Sequence, residues 1–334
     1  MTQRTYWHLS ELGKRPTDYD ITSTKLLYYV ERGLEIDAPI GAWYRTHQAG
    51  SELACHDWER FRDPRETTYS KYVDLQRTKE AFVDGVLAAA EDREHVPRLA
   101  PAWRTALASL ISPLRYPVHG LQMIAAYVGH MAPSGRVVIA AMLQAADEAR
   151  RIERLAYRLR ELQLADPDVL ESGTVPPSWG AAGRARWERD PMWQPLRELI
   201  ERLLVTYDWG EALVALTCVV KPRFDALFTT ELAELSRGAG DDVFANVLFS
   251  LGEDARWHRI WSAALIEVAL ADRPANRAVI AAWIARWTPL AVRAIASFAP
   301  VFGAEMPVAV EAAAEAWLVA AGLADPERGG GTAR

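Results

Sequence analysis

Three features of the chain predict an all-α fold of long, mutually packed helices. Helical periodicity is sustained from Tyr72 onward, no alternating apolar–polar run of useful length occurs, and two related charged signatures lie on separate helical stretches. The signatures are Asp147-Glu148-Ala149-Arg150-Arg151 and Asp254-Ala255-Arg256-Trp257-His258. A Glu-x-x-His pair places carboxylate and imidazole on one helical face, and two such pairs with further glutamates hold a di-iron centre inside a four-helix bundle. Here the first pair reads Glu148-x-x-Arg151 and the second Ala255-x-x-His258, each one substitution short of a metal-binding pair. The pattern predicts the scaffold of a metal centre from which the metal chemistry has been lost.

Along the chain, residues 1–70 are rich in Tyr, Trp, Pro and Asp, with one short helix expected near Ser23 to Arg32 and otherwise no sustained period. This segment reads as an extended N-terminal arm that packs on a partner subunit. Residues 71–325 read as one helical domain, with breaks at Pro97, Pro133, the 164–191 stretch, Pro222, the 238–241 turn and Pro274. Between Ser134 and Leu162 an apolar stripe runs through Val138, Met142, Ala145, Ala149, Ile152, Ala156 and Leu159, with Glu148 at its edge. Between Asp241 and Leu270 the stripe is Val247, Leu251, Ala255, His258, Trp261 or Ser262, and Leu265, with His258 near its centre. The Pro- and Gly-rich 164–191 stretch reads as a long surface connection, which fits a ferritin-like topology better than an up-down bundle. The tail, 326–334, contains Gly329-Gly330-Gly331 and is expected to be disordered.

Composition narrows the function. A net charge of -6 with pI near 5.7 argues against nucleic acid or an anionic membrane as partner. Two cysteines, Cys55 and Cys218, are too few for a disulfide framework, so a reducing cytoplasm is the expected compartment. No apolar h-region opens the chain, and no run reaches the ~18 uninterrupted apolar residues that span a bilayer. Thirteen tryptophans is a high count, and most read as core anchors. Trp7 and Trp43 lie in the weakly periodic arm and are the interface candidates.

Ligand supply argues against a metal on this chain. Histidine occurs seven times, and beyond His130 the chain has only His258. No Asp or Glu lies between Val96 and Ala146, the segment that should carry the first carboxylate ligand. Asp92-x-x-His95 keeps the spacing but sits in a charged run and reads as a solvated helix end. His258 reads as a core histidine with a hydrogen-bond partner, the alternative being a mononuclear metal site. No Gly-rich phosphate loop, G-x-S-x-G elbow or paired C-x-x-C is present.

Several strings together resemble the β subunit of the hydroxylase component of bacterial multicomponent di-iron monooxygenases, in the toluene, alkene and isoprene monooxygenase group. They are Tyr6-Trp7-His8-Leu9, Pro16 to Ile21, Ser112-Pro113-Leu114-Arg115-Tyr116 with Leu121-Gln122-Met123, Met131-Ala132-Pro133, Asp208-Trp209-Gly210-Glu211-Ala212, and Val219-Val220-Lys221-Pro222. The resemblance implies a ferritin-like, ribonucleotide-reductase-like bundle that is a duplicated relative of the catalytic α subunit. Phe244-Ala245-Asn246 leads without a gap into the second signature, so the resemblance places Ala255 at a ligand glutamate, His258 at a ligand histidine and Lys221 at a further glutamate. In the first signature Glu148 survives and Arg151 replaces histidine. A carboxylate left in a core after its metal is lost needs a cation beside it, so Arg151, with Lys221, is expected to compensate Glu148.

The expected function is that of a non-catalytic structural subunit in an (αβγ)2 hydroxylase that oxidises aromatic or alkene hydrocarbons with O2. No catalytic residue, cofactor or metal is expected on this chain, and the di-iron centre belongs to the α subunit. The implied partners are the α and γ subunits, a second β copy, a small effector protein, a Rieske ferredoxin and an NADH-dependent reductase. Two alternatives stay open: a ferritin-like di-iron enzyme with altered ligands from Glu148, Glu211, Asp254 and His258, and an unrelated helical scaffold or binding protein.

Overall fold

Capping residues in the sequence start many of the helices. The computed structural model describes residues 6–26, 39–166 and 180–324, apart from the side chains of Trp7 and His8, and every regular element among them is helical. Thr17 and Asp20 form a reciprocal capping box on α1 (Asp18–Ser23). After α2 (Pro39–Tyr44), Thr68 caps α3 (Tyr69–Asp92), and Pro101 opens α4 (Pro101–His130). Ser134 caps α5 (Gly135–Ala165). Two shorter helices follow, α6 (Ala181–Arg189) and α7 (Gln194–Leu204). Asp208 then caps α8, a continuous helical run over 209–238, and Asp241 caps α9 (Asp242–Asp272). The chain finishes with α10 (Asn276–Ala296) and α11 (Met306–Ala320).

The long helices α4, α5, α8 and α9 form the ferritin-like bundle. Helices α4 and α5 pair as a hairpin, α8 and α9 as a second, and α5 meets α9 between them. Helix α3 lies over α9, while α10 and α11 close the outer side of α8. Large aromatic side chains lock these layers: Trp193, Phe228 and Phe298 form one mutually packed group, with Trp193 and Phe298 edge-on at 4.9 Å between centroids. By length and hydropathy α10 alone among the described helices is apolar enough to cross a membrane. Here it packs Ile280, Trp283 and Trp287 into the core and pairs Arg286 with Glu211 and Arg293 with Glu198.

The Asp208-Trp209-Gly210-Glu211 string is a junction between the arm and the bundle. Asp208 accepts from the Ser51 hydroxyl, Trp209 donates to the Val128 carbonyl, and Glu211 accepts from the Trp287 indole. A Cβ on Gly210 would stand 2.6 Å from both Leu53 Cβ and Ser51 Oγ, so glycine is what lets the arm lie against α8.

Four sequence expectations are corrected. Pro222 does not break its helix: α8 runs through it with π-helical turns at Ala215–Val220 and Ala226–Glu231. A π turn bonds each N–H to the carbonyl five residues back, and the one Pro222 cannot serve is that of Thr217. The Trp317 indole donates to that carbonyl at 3.1 Å instead. Within the 164–191 stretch, residues 181–189 form α6 rather than a connection. The stripe on α5 is rotated: Met142 is 46% exposed, and the buried face carries Gln144, Asp147, Glu148, Arg150, Arg151, Arg154 and Arg158, whose partners on neighbouring helices remove the cost of burial. His95 is not a solvated helix end. It meets the Asp241 carboxylate, which also accepts from Trp103 and Arg158, and so helps fix the start of α9.

The stripe on α9 is buried from Val247 to Leu265, as expected from its period. The helix expected near Ser23 to Arg32 falls largely, and the tail at 326–334 entirely, outside the described residues; α1 precedes the former.

Trp317→Phe keeps the ring packing and removes the donor to the Thr217 carbonyl. A destabilisation of about 1–3 kcal/mol is expected, the penalty for an unsatisfied buried acceptor, measured from denaturant midpoints; an unchanged midpoint refutes this account of how Pro222 is accommodated.

Candidate functional site

The two signatures face each other across the α5–α9 contact, and the first residue of each is tied to the last turn of the other. Asp147 Oδ2 lies 2.9 Å from His258 Nε2, and Arg150 Nη1 donates to Asp254 Oδ2 at 2.6 Å. The i, i+3 and i, i+4 spacings of a helix put these side chains on the inner faces. Helix α3 closes one side: Tyr72 and Gln76 donate to Asp147 Oδ1 at 2.8 and 2.7 Å, Gln76 also reaches Asp254, and Lys79 pairs with Asp254. Glu80 on the same helix pairs with Arg150 and Arg154.

Helix α8 closes the other side. Lys221 Nζ lies 2.5 Å from Glu148 Oε1 and 2.9 Å from Asp225 Oδ1. Arg151 donates to Asp225 Oδ1 at 2.8 Å, stands 3.7 Å from Glu148 Oε2, and lies over the Phe224 ring. Glu148 is therefore compensated first by Lys221, with Arg151 more distant and committed mainly to Asp225. That order is the reverse of the sequence expectation, because Arg151 on α5 extends toward α8 and meets a carboxylate four residues beyond Lys221.

The structure brings Glu148, Arg151, Lys221 and His258 into this one buried cluster, and Ala255, 1% exposed, sits on the same face of α9. Of the interface candidates, Trp43 is half-buried against its own chain, its indole donating to the Tyr127 hydroxyl and its ring edge-on to Tyr207. Trp7 begins a short 3-10 turn, Trp7–Leu12. Sequence reasoning missed Asp225, Arg150 and the α3 contributors Tyr72, Gln76, Lys79 and Glu80. The signals were present in the Lys221-x-x-x-Asp225 spacing and in a polar row on α3 at helical period.

Charge is matched inside the cluster. Each of the carboxylates Glu80, Glu148, Asp225 and Asp254 is paired with one or more of Lys79, Arg150, Arg151, Arg154 and Lys221. Burial tends to raise the Asp225 carboxyl, but Lys221 and Arg151 together outweigh it and hold the group well below the usual carboxylate range. Asp254 is lowered in the same way, burial being outweighed by Arg150 and Lys79. Asp147 behaves oppositely: burial, reinforced by the Asp254 charge, raises it well above its ordinary value. Burial and the neighbouring Lys221 push the His258 imidazole down to about 3. Across the 2.9 Å Asp147–His258 contact both shifts therefore disfavour the charged forms.

This set does not fit an iron pair. The Lys221 ammonium is wedged between Glu148 and Asp225, the Arg151 guanidinium lies where an imidazole would be needed, and Ala255 offers no donor atom. Glu148 Oε2, Asp225 Oδ2 and His258 Nδ1 lack hydrogen-bond partners, yet no group of three or more His, Cys, Asp or Glu among the described residues is arranged to hold a metal ion. What the cluster can do is hold α3, α5, α8 and α9 in register.

Comparison with known proteins places the chain in context. A family model for methane/phenol/alkene hydroxylases matches residues 43–273. The chain is 37% identical over 300 residues to the toluene-4-monooxygenase system hydroxylase component subunit beta of Ectopseudomonas mendocina, covering 88% of this chain and 89% of that one. It is 27% identical to the phenol 2-monooxygenase oxygenase component DmpL of Pseudomonas sp. (strain CF600), over 80% of each. A chain of toluene 4-monooxygenase, solved with toluene in its resting active site, superposes with a TM-score of 0.82 at 36% identity, over 92% of this chain and 98% of that one. Phenol hydroxylase from Pseudomonas sp. OX1 shares the fold at a TM-score of 0.82 and 20% identity, over 98% of this chain and 97% of that one.

Lys221→Met leaves Glu148 and Asp225 with Arg151 as their remaining cation within ion-pair distance. A loss of about 3–5 kcal/mol is expected, as for a buried pair broken from one side, and the double variant Lys221→Met with Glu148→Gln is expected to recover a measurable part. Denaturant titration checks both; a single variant as stable as the parent refutes the compensation. For His258 the folded pKa lies below the ordinary 6.5, so its contribution to stability is complete above that pH and is lost as pH falls toward about 3. His258→Asn should therefore lose less stability than the parent across that window, and parallel pH–stability curves would contradict the neutral assignment.

Proposed function

The chain belongs to the methane/phenol/alkene hydroxylase family, as a hydroxylase β-subunit-like component of a bacterial di-iron monooxygenase, and from that premise we propose that it is the structural subunit of an (αβγ)2 hydroxylase whose iron centre lies on the α subunit. The observation that carries this reading is the Lys221 ammonium 2.5 Å from Glu148, where a metal scaffold has exchanged its ion for a fixed side-chain charge. An ion must be acquired and held by matched ligands, whereas a lysine is present from the moment the chain folds. Such a bundle is suited to hold a shape for another chain to rest on.

The complex would oxidise a hydrocarbon with O2, its substrate pocket being formed by the α subunit. The relatives act on toluene, phenol and propane by name, which supports an aromatic or short aliphatic hydrocarbon as the substrate class. A γ subunit, a second β copy, a small effector protein, a Rieske ferredoxin and an NADH-dependent reductase complete the proposed system, in the cytoplasm.

The test is the iron content of the complex purified with the products of neighbouring genes. Metal equivalent to one di-iron centre for each copy of this chain is expected, unchanged in a Glu148→Gln, His258→Asn double variant. Twice that amount, or a loss of iron in the variant, would mean that this chain binds metal itself.

A further inference from the structure

A cleft of about 520 Å3 runs between α8 and α9 and is bounded on another side by α11, a size within the range of about 300–1,000 Å3 that small-molecule sites occupy. Its walls are short or apolar: Pro222 and Ala226 on α8, Gly252 and Ala255 on α9, and Trp317 on α11, whose indole N–H is already given to the Thr217 carbonyl. Along α9 the lining extends from Phe249 to Arg259, about 15 Å at the rise of a helix. Charges at the rim cancel among themselves, Glu234 with Arg237 and Glu253 with Arg256. Three polar groups on the walls remain unmatched. Asp225 and Thr229 are 3% and 6% exposed, one helical turn apart, and each has a side-chain oxygen, Oδ2 and Oγ1, without a hydrogen-bond partner. Thr217 on the same helix gives its hydroxyl to the Leu213 carbonyl four residues back, the ordinary outlet for a helical threonine, and Thr229 does not. The Arg259 guanidinium acts on Asp225 through its charge but forms no hydrogen bond or ion pair among the described residues.

We propose that this cleft binds a small neutral alcohol or phenol, its hydroxyl seated among Asp225, Thr229 and Arg259 and its hydrocarbon body lying along Ala226, Gly252 and Ala255. The head group follows from an account of donors and acceptors. Asp225 Oδ2 only accepts, the guanidinium only donates, and the Thr229 hydroxyl does either. A group that satisfies all three must donate and accept at once, as a hydroxyl does. A carboxylate would take bonds from Arg259 but bring no proton to Asp225, and it would face that residue's charge. An ammonium would face Arg259 and compete with Lys221 and Arg151, which already neutralise Asp225. A bare hydrocarbon would fill the walls and leave the three polar groups unsatisfied, so the hydroxyl is where selectivity arises. The body follows from the walls, whose small side chains leave room beside the aromatic faces of Phe249 and Trp317. Hydroxylation of a hydrocarbon yields this combination of apolar body and single hydroxyl. The cleft would therefore hold the product class of the complex, and the proposal rests on the reading given under Proposed function for the source of the ligand.

The experiment uses the hydroxylase complex purified with the full chain. A phenol carrying a diazirine para to its hydroxyl is photolysed with the complex, and the labelled peptides are mapped by mass spectrometry. Label is expected on residues 249–259 or 313–320 of this chain. In the double variant Thr229→Val, Arg259→Met it is expected to fall about tenfold or more, the equivalent of one to two lost hydrogen bonds, with iron content and subunit stoichiometry unchanged. Competition on the parent complex needs no variant: 4-methylphenol is expected to displace the label at concentrations about tenfold or more below those of toluene or 4-methylbenzoate. Absence of label from these residues, label indifferent to the double variant, or displacement by toluene or 4-methylbenzoate as effective as by 4-methylphenol overturns the proposal. Such a result in a complex that holds its expected iron leaves the functional reading standing. Labelling of the cleft in a chain that retains no iron-bearing subunit overturns that reading instead.

Discussion

The Lys221 ammonium, held between Glu148 on α5 and Asp225 on its own helix, is the contact on which the arrangement of the bundle depends. An isolated carboxylate in that position would be costly, because desolvation of a charge in a packed interior outweighs what the surrounding apolar contacts return. Lys221 can reach both carboxylates because α8 remains helical through Pro222, and it remains helical because π turns and the Trp317 indole take over from the missing backbone donor. Placement of one charge thus rests on α11, a helix outside the four that carry the cluster. A local choice of residue has become a condition on the packing of the last helix.

The same logic distributes charge across four helices. Asp147 and Asp254 occupy matching positions in the two signatures but are shifted in opposite directions, the first raised by burial and the Asp254 charge, the second lowered because Arg150 and Lys79 outweigh burial. Two carboxylates in one dry volume repel, and the charged form is favoured at the one with cations beside it. The cluster that results has matched pairs and little reactivity. His258, which in a metal site would offer a nitrogen to the ion, meets the Asp147 carboxyl instead and is kept uncharged by burial and by Lys221.

Helix α3 connects this interior to the outside. It gives Tyr72, Gln76, Lys79 and Glu80 to the cluster, while Leu75 and Phe82 stand among charged residues on its exposed side. In most surface helices an apolar row inside and a polar row outside satisfy the helix within one chain. Here part of the inward side is charged, and its partners come from α5 and α9.

The sequence by itself determined the helical class and the long stripe on α9 through His258, because helical period is a local property. It also made Lys221 and Arg151 visible as the compensating cations. Only the tertiary structure decided which cation serves which carboxylate, since that depends on how far α5 and α8 reach toward each other and on Asp225, whose i, i+4 spacing pairs it with Lys221 but does not show that Arg151 reaches it. The rotated face of α5, the passage of α8 through Pro222 and the bonding of His95 to Asp241 were hidden for one physical reason. Each is a polar or backbone group that burial alone would penalise, and each is made stable by a partner contributed from elsewhere in the chain, from Asp254 and Asp225, from Trp317 and from the cap of α9 respectively.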